Sequence, residues 1–169
     1  MLKVDLRHLE RKRRLSMSHT VAADDSLWHQ SQIRLAEPLQ VEMDAQFAGR
    51  DVVVRGDVHS RVALPCRRCL APVTLPLDEE FVLVFRPGLT RVEAEEQEVY
   101  ALPERADELD LEPALLEQVV LSVPQYAMCS ESCRGLCPQC GTNLNHTQCD
   151  CQAVDLDPRW AALRKLRTQ

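Results

Sequence analysis

The chain has 169 residues, 45% of them hydrophobic, and a formal net charge of −6. This length fits one domain, or one modest domain with a small appendage, and the hydrophobic fraction is sufficient for a buried core. No stretch is apolar for the length that spans a bilayer, and the N-terminus lacks the apolar run of a secretory signal. We therefore expect an intracellular protein with no membrane association. Because only 4% of the residues are aromatic, Val, Leu and Ala should fill most of the core.

The charge is distributed unevenly along the chain. Residues 1–14 carry six Lys or Arg against two acids, whereas residues 78–117 carry thirteen acids against three Arg. From Pro158 to the end there are four basic residues and no acid. Basic ends therefore flank an acidic middle.

Three runs of alternating apolar and polar residues predict an antiparallel meander of three strands. A turn at residues 48–51 joins the first run to the second. Alternation with a period of two is typical of strands that bury one face and expose the other. Gly56 interrupts the second run and is compatible with a bend. The apolar positions are Leu39, Val41, Met43, Ala45 and Phe47, then Val52, Val54, Val58, Val62 and Leu64, then Val73, Leu75, Leu77, Phe81, Leu83 and Phe85.

The segments around this meander give weaker signals. Residues 1–35 hold Leu2, Val4, Leu6 and Leu9, which fit a strand or a short helix equally well. Residues 86–108 are acidic and lack apolar periodicity, so we expect a mobile loop there.

Two helices are expected after this loop. Helical spacing from Leu111 to Val123, with Pro113 in the first turn and Pro124 after the end, predicts a helix that covers the sheet. Asp157 and the proline that follows it predict a short final helix. Its apolar side would carry Trp160, Leu163 and Leu166.

The sequence thus predicts an α+β fold, an antiparallel meander covered by a helix. We expect residues 1–128 to form the sheet-and-helix domain. Residues 129–169 should form a cysteine-rich, zinc-binding segment with the short final helix packed on it.

The eight cysteines occur in closely spaced pairs, which in a reducing compartment favours metal ligation over disulfides. The run Cys137-Pro-Gln-Cys140-Gly has the form of a zinc knuckle, and Cys149 and Cys151 can complete a four-sulfur site. Cys66 and Cys69 lie at the predicted tip of the second hairpin. Together with Cys129 and Cys133 they form a second candidate site, which would fasten that tip to the end of the helix.

Other interpretations of these cysteines stay open. Cys66 and Cys69 alone are equally compatible with buried apolar thiols. An iron–sulfur cluster or redox-active thiols would also account for the later cysteines. His146 lies inside the loop and could replace one sulfur, although exposure to solvent fits it better, and His59 is expected to be exposed on the polar face of its strand.

Motifs for catalysis are not found in this sequence. A four-sulfur zinc site has no open position for water or substrate and stabilises the fold. The chain contains no GxSxG, P-loop, HExxH or glycine-rich dinucleotide turn, and no feature suggests a small-molecule substrate. We therefore expect a protein that is not an enzyme.

Three stretches together resemble the bacterial large ribosomal RNA subunit accumulation proteins, the YceD family. They are VALPCRRCLAPV (62–73), LSVPQYAMC (121–129) and CRGLCPQCGTNLNHTQCDC (133–151), the last followed by DPRWAALRKL. The resemblance implies a role in the synthesis, processing or stability of 23S rRNA and in assembly of the large subunit. It also implies a bacterial cytoplasmic or a plastid setting, of which the bacterial cytoplasm better fits an N-terminus unlike a transit peptide. The residues that match the family's motifs are the eight cysteines.

RNA contact, if direct, should use the basic groups, because the acidic bulk of the chain repels a polyanion. Solvated charge accounts for the same residues equally well. The candidates are Arg11, Lys12, Arg13 and Arg14, then Arg67 and Arg68 at the hairpin tip, then Arg159, Arg164, Lys165 and Arg167 near the C-terminus.

Two further functions remain open from the sequence. The acidic stretch from Glu93 to Glu117 could hold a basic ribosomal protein, which would make this chain an escort. Alternatively, a CxxC pair without metal could act as a redox switch.

Overall fold

The computed structural model describes residues 2–31, 33–151 and Arg159. The predicted final helix, with Trp160, Leu163 and Leu166, lies outside the described residues. The described elements follow one another as β1 (Lys3–Asp5), α1 (Leu6–Lys12), β2 (Arg14–Val21), a 3-10 helix (Ser26–Gln30), β3 (Leu39–Ala48), β4 (Asp51–Pro65), β5 (Pro72–Pro87), α2 (Arg91–Glu96), β6 (Tyr100–Leu102), β7 (Glu108–Asp110) and α3 (Glu112–Ser122).

Five of these strands form one mixed sheet in the order β2-β3-β4-β5-β6. Strands β2 to β5 pair antiparallel, and β6 adds to β5 in parallel. Most of the alternating apolar residues of β3 to β5 face the core as the sequence predicts, and Val41, Val58 and Leu83 are almost completely buried. A two-residue turn joins β3 to β4, and the CxxC segment joins β4 to β5. The α+β class is therefore confirmed.

The N-terminal residues form both a strand and a helix. Val4 in β1 and Leu9 in α1 are buried in the main core. β1 pairs with β7, with Lys3 opposite Asp110, and the Leu111 amide donates a hydrogen bond to the Leu2 carbonyl over 2.9 Å. The chain therefore closes its N-terminus against residues more than a hundred positions later.

Residues 86–108 were expected to form a loop, and this expectation was wrong for much of the segment. β5 continues to Pro87, α2 follows, and β6 joins the sheet. Thr90 caps α2 by accepting a hydrogen bond from the Glu93 amide, and the Glu93 carboxylate accepts one from the Thr90 amide over 2.9 Å. Ala94 is buried on the inner side of α2. A capping box and one buried face therefore hold this acidic segment in a regular structure.

Helix α3 contributes to the core of the sheet. Ala114, Leu115 and Val119 are buried together with the inward residues of β3, β4 and β5. Val120 and Leu121 remain 43% and 72% exposed on the outer side. The helix thus covers part of the sheet with a narrow apolar face and ends before Val123, next to the cysteine-rich region.

Candidate metal centres and the arginine-rich tip

Four cysteines meet at the tip of the β4–β5 hairpin and form a group that we call the tip centre. The group comprises Cys66, Cys69, Cys129 and Cys133, whose sulfurs all lie within 4.8 Å of one another. Cys66 and Cys69 occupy the connection between β4 and β5, where the Leu70 amide donates to the Cys66 carbonyl over 2.9 Å. The structure therefore brings together the four residues that the sequence grouped.

The distances in the tip centre match those of a tetrahedral metal site. The Cys66 and Cys133 sulfurs are 3.9 Å apart, and those of Cys69 and Cys129 are 3.6 Å apart. A tetrahedron with metal–sulfur bonds of about 2.3 Å has edges of about 3.8 Å. None of the eight cysteines, all of which lie in the described part of the chain, forms a disulfide.

The second group, which we call the knuckle centre, follows directly along the chain. It comprises Cys137, Cys140, Cys149 and Cys151, again with all sulfurs within 4.8 Å. The Gly141 amide donates to the Cys137 carbonyl over 2.9 Å, and this closes the tight turn that presents the first two thiols. His146 is exposed and belongs to neither group. Both groups of four therefore have sulfur as the sole donor type, which suits a closed structural metal site.

A short loop joins the two centres and is held against the hairpin tip. Gly135 has a φ of 78°, and a Cβ there would lie 3.0 Å from the Arg68 carbonyl oxygen, so this position requires glycine. The Leu136 amide donates to the same carbonyl over 3.1 Å. Asn145 Nδ2 donates to the Cys133 sulfur over 3.3 Å, which places a neutral donor beside the tip centre.

The four thiols of each centre cannot ionise independently because their sulfurs are so close. Hydrogen bonds from the backbone of Cys69, Cys129 and Arg68 lower the pKa of Cys66 to about 6. The pKa of Cys129 is raised to about 12, mainly by the hydrogen bond between the Cys129 and Cys133 sulfurs. The knuckle centre repeats this division. Hydrogen bonds with Thr142 lower the pKa of Cys140 to about 6, and the sulfur of Cys140 raises that of Cys151 to about 12.

Of the predicted basic groups, the two that the structure describes in full, Arg11 to Arg14 and Arg67 with Arg68, do not come together in the fold. Arg14 pairs across the strands with Gln46, which in turn lies opposite Val53 in β4. From Val53 to the tip at Pro65 the extended strand covers roughly 40 Å, at about 3.3 Å per residue. Arg11 to Arg14 and the hairpin tip therefore occupy opposite ends of the sheet.

At the α1 end, the four basic residues have different surroundings. Arg11 and Lys12 are exposed in the last turn of α1, and Arg13 ends the helix with a positive φ of 65°. Arg14 donates to Asp44 over 2.6 Å, and this salt bridge occupies much of its charge.

At the hairpin tip, the two arginines have built-in contacts. The guanidinium carbon of Arg67 lies 4.1 Å from the centre of the Tyr126 ring. Arg68 donates to the Cys133 carbonyl over 2.9 Å and thereby joins the hairpin tip to the cysteine-rich loop. Arg164 and Lys165, like Arg167, lie outside the described residues. Arg159 is described as exposed.

Three residues at this end were missed in the sequence. Tyr126 stacks with Arg67, and Arg134 lies within the loop between the centres. The side-chain nitrogen of Asn145 donates to the Cys133 sulfur, and its side-chain oxygen accepts from the Arg134 amide over 2.7 Å. The only sequence signal for these three residues was their position beside or between the cysteines, outside any apolar periodicity.

Among the residues that the structure describes, none of the helices has the length and apolar character needed to cross a membrane.

A family profile and one named relative identify the same family. The sequence profile described as large ribosomal RNA subunit accumulation protein YceD matches residues 54–167. An uncharacterised protein of Mycobacterium tuberculosis is 32% identical over 129 residues, which are 74% of this chain and 60% of that protein. A chloroplastic relative from Arabidopsis thaliana, named as a YCED homolog of large ribosomal RNA subunit accumulation protein, is 27% identical over 158 residues, covering 78% of this chain and 49% of the relative.

A third relative covers nearly the whole chain. The uncharacterised protein YlbN of Bacillus subtilis is 27% identical over 163 residues, which are 96% of this chain and 93% of YlbN. The chain spans about 60% of the length of the mycobacterial relatives. No solved structure matches it significantly. Because the family profile covers both halves of the tip centre and all of the knuckle centre, this chain belongs to the YceD family of large ribosomal RNA subunit accumulation proteins.

Proposed function

We propose that this protein is a non-catalytic, zinc-binding factor that contacts RNA through its cysteine-rich end in the bacterial cytoplasm. In this role it supports the synthesis, processing or stability of 23S rRNA and assembly of the large subunit. The family description and the name of the Arabidopsis relative, both of which refer to accumulation of large-subunit rRNA, support the process. A precursor particle of the large subunit is the corresponding partner.

Zinc fits both centres, since each brings four thiols within 4.8 Å of one another and four thiolates are a structural ligand set of zinc. Bound there, the metal supplies fixed coordination and no chemistry. In the tip centre, Cys66 and Cys69 come from the β4–β5 connection, while Cys129 and Cys133 follow α3. Ligation would therefore hold the hairpin tip against the chain that leaves the helix.

One observation carries the assignment of RNA contact to this end, namely the separation of charge along the fold. The tip and the two centres, residues 65–71 and 123–151, contain three arginines, Arg67, Arg68 and Arg134, against two acids, Glu131 and Asp150. Residues 78–117, which form most of β5 and the elements that follow it, contain thirteen acids and three arginines. A polyanion is repelled by the acidic elements from β5 onward, whereas the exposed arginines of the cysteine-rich end offer contacts to its phosphates.

The test is cross-linking of the tagged protein in growing cells, with RNA and protein read from the same sample. We expect cross-links to 23S rRNA that decrease when Arg67 and Arg134 are both changed to Glu. The matched control changes Arg11 and Lys12 to Glu at the opposite end of the sheet, and it should retain the cross-links. If cross-links to 23S rRNA are lost only when Arg11 and Lys12 are changed, the RNA contact lies at α1 and the proposal is wrong.

The acidic surface favours a second candidate, an escort for a basic ribosomal protein. Glu93, Glu95, Glu96 and Glu98 are all exposed around α2. Charge of this density attracts basic clients. Cross-links to one basic ribosomal protein, with RNA at background, would replace the RNA-contact proposal with this one.

Metal content and thiol reactivity test the zinc assignment separately. Native mass spectrometry of the full chain should show two zinc ions, and Cys66→Ser and Cys137→Ser should each remove one. No thiol should react with a titrating reagent until a chelator is added. A pair of cysteines that reacts in the zinc-loaded protein would instead favour a redox switch.

A further inference from the structure

Tyr126 stands out among the aromatic residues that the structure describes. Trp28, Phe81 and Phe85 are at most 5% exposed and Phe47 is 39% exposed, whereas Tyr126 is 63% exposed. Exposure of a large aromatic side chain is unfavourable in water unless the residue has a partner, and aromatic side chains of this kind are enriched where proteins bind. Tyr126 therefore requires an explanation beyond core packing.

The ring is held in a fixed position at the hairpin tip. The Arg67 amide donates to the carbonyl of Ala127 over 2.8 Å, and Ala127 is only 4% exposed. Two residues further, the Cys129 amide donates to the Cys66 sulfur over 3.4 Å. Because backbone contacts on its C-terminal side anchor the segment, a ligand that stacks on the ring does not need to order it first.

The ring and the guanidinium together form a planar, cationic surface. Arg67 covers one face of Tyr126 at 4.1 Å from its centre, and the ring remains mostly exposed. Stacking on an aromatic ring or on an arginine plane is the way in which proteins hold unpaired bases, and a nearby cation attracts the phosphate that follows.

The surroundings favour nucleic acid over a protein partner. Arg68 donates to the carbonyl of Cys133, and Arg134 follows Cys133 directly, so the cysteine-rich end carries two further arginines besides the one that contacts the ring. The loop also carries amide and hydroxyl side chains, including those of Thr142 and Asn143. A basic protein would be repelled here, while single-stranded RNA presents both a base to stack and phosphates to pair.

We propose that Tyr126 and Arg67 form a stacking platform for an unpaired base of single-stranded RNA. The inference rests on the proposed RNA-facing role of this end and names the RNA structure that it binds. It predicts a preference for single strands or loops over duplex, because a paired base within a helix offers no free face.

The experiment measures fluorescence anisotropy of a labelled, unstructured oligoribonucleotide with the zinc-loaded full chain. Tyr126→Ala should weaken binding about tenfold or more, and Tyr126→Phe should stay close to wild type because it keeps the ring. Arg67→Lys keeps the positive charge but removes the planar guanidinium group, so this variant should bind the oligoribonucleotide several-fold more weakly. The same strand annealed to its complement should bind more weakly than the single strand.

Leu121→Ala is the matched control, because it removes another exposed apolar side chain from the neighbouring helix. It should leave affinity unchanged. Zinc content and circular dichroism of each variant show whether a loss comes from unfolding, which an exposed ring should not cause.

Wild-type affinity in Tyr126→Ala, or equal binding of duplex, would overturn the platform. If cross-links to 23S rRNA in cells persist in that case, only the platform fails. If the wild-type protein binds no single-stranded RNA and gives no RNA cross-links in cells, the proposed function fails as well.

Discussion

At the scale of single residues, Gly56 marks a place where two strands approach too closely for any side chain. A Cβ at this position would overlap the Glu42 carbonyl oxygen of β3 and lie 2.8 Å from Met43 Cβ. Both obstacles belong to the centre of the sheet, where a shift would disturb the register. Gly56→Ala should therefore lower the free energy of unfolding by about 2 to 3 kcal/mol, as measured by urea denaturation.

Gly49 provides the control for this substitution. It also has no side chain, but a Cβ there would meet no atom within 4 Å, and its cost comes only from a positive φ of 67°. Gly49→Ala should cost about 1 kcal/mol. Equal or reversed effects of the two substitutions would show that crowding against β3 is not what requires glycine at position 56.

His59 lies between two carboxylates on the exposed face of the sheet. Its Nδ1 is 2.8 Å from Asp78 and its Nε2 is 2.9 Å from Asp57. The hydrogen bond with Asp78 above all, and also that with Asp57, raises the pKa of His59 above 6.5. The stability from this pairing is fully present below pH 6.5 and is lost as pH rises through the folded-state pKa.

Asp78→Asn should lower the pKa of His59 toward 6.5, as measured by NMR titration of its ring protons. Glu104→Gln is the control, since that carboxylate pairs with Arg50 at the β3–β4 turn. An unchanged His59 titration in Asp78→Asn would contradict the assigned cause.

At the scale of secondary-structure elements, α2 shows a signal that the sequence did contain. Thr90 and Glu93 have the spacing of a capping box, but the charge of the segment led to the prediction of a loop. Thr90→Ala should destabilise α2 locally by about 1 kcal/mol, seen as faster amide hydrogen exchange in residues 91–97. Thr74→Ala, in β5, should leave that exchange unchanged.

The elements that were predicted well from the sequence are those long enough to show a repeating pattern of apolar residues. β3, β4 and β5 each carry enough inward residues to define a face, and α3 has the helical spacing of Leu115 and Val119. β1 and β7 have three residues each, too few for a period to be recognised. Their pairing depends on residues more than a hundred positions apart, which no local pattern encodes.

At the scale of the whole molecule, the grouping of the cysteines was predictable, while the surface around them was not. Short spacings within each pair limited the possible partners, and the hairpin between Cys66 and Cys69 placed that pair at a tip. The stacking of Tyr126 on Arg67 depends on how α3 ends beside the tip. The separation of the two basic groups depends on strand length and register.

The main core and the cysteine-rich end are packed separately. The buried cluster of the sheet contains no cysteine, while Cys66, Cys69 and Cys133 form a small cluster of their own with Leu136 against them. Metal removal by a chelator should therefore increase amide exchange in residues 65–71 and 129–149 and leave β3 and the middle of β4 protected. Zinc should restore protection and magnesium should not. Uniform loss of protection would show that the metal sustains the whole fold.

The pairing of β1 with β7 has a consequence for the order in which the chain folds during synthesis. Lys3 is synthesised more than a hundred residues before its partner Asp110. At about 5 to 20 residues per second, the apolar side chains of β1 and α1 wait roughly 5 to 20 s for that partner strand. Strand β1 and helix α1 therefore leave the ribosome well before the strand that completes their packing, and a translational pause before residue 110 would prolong their exposure to solvent.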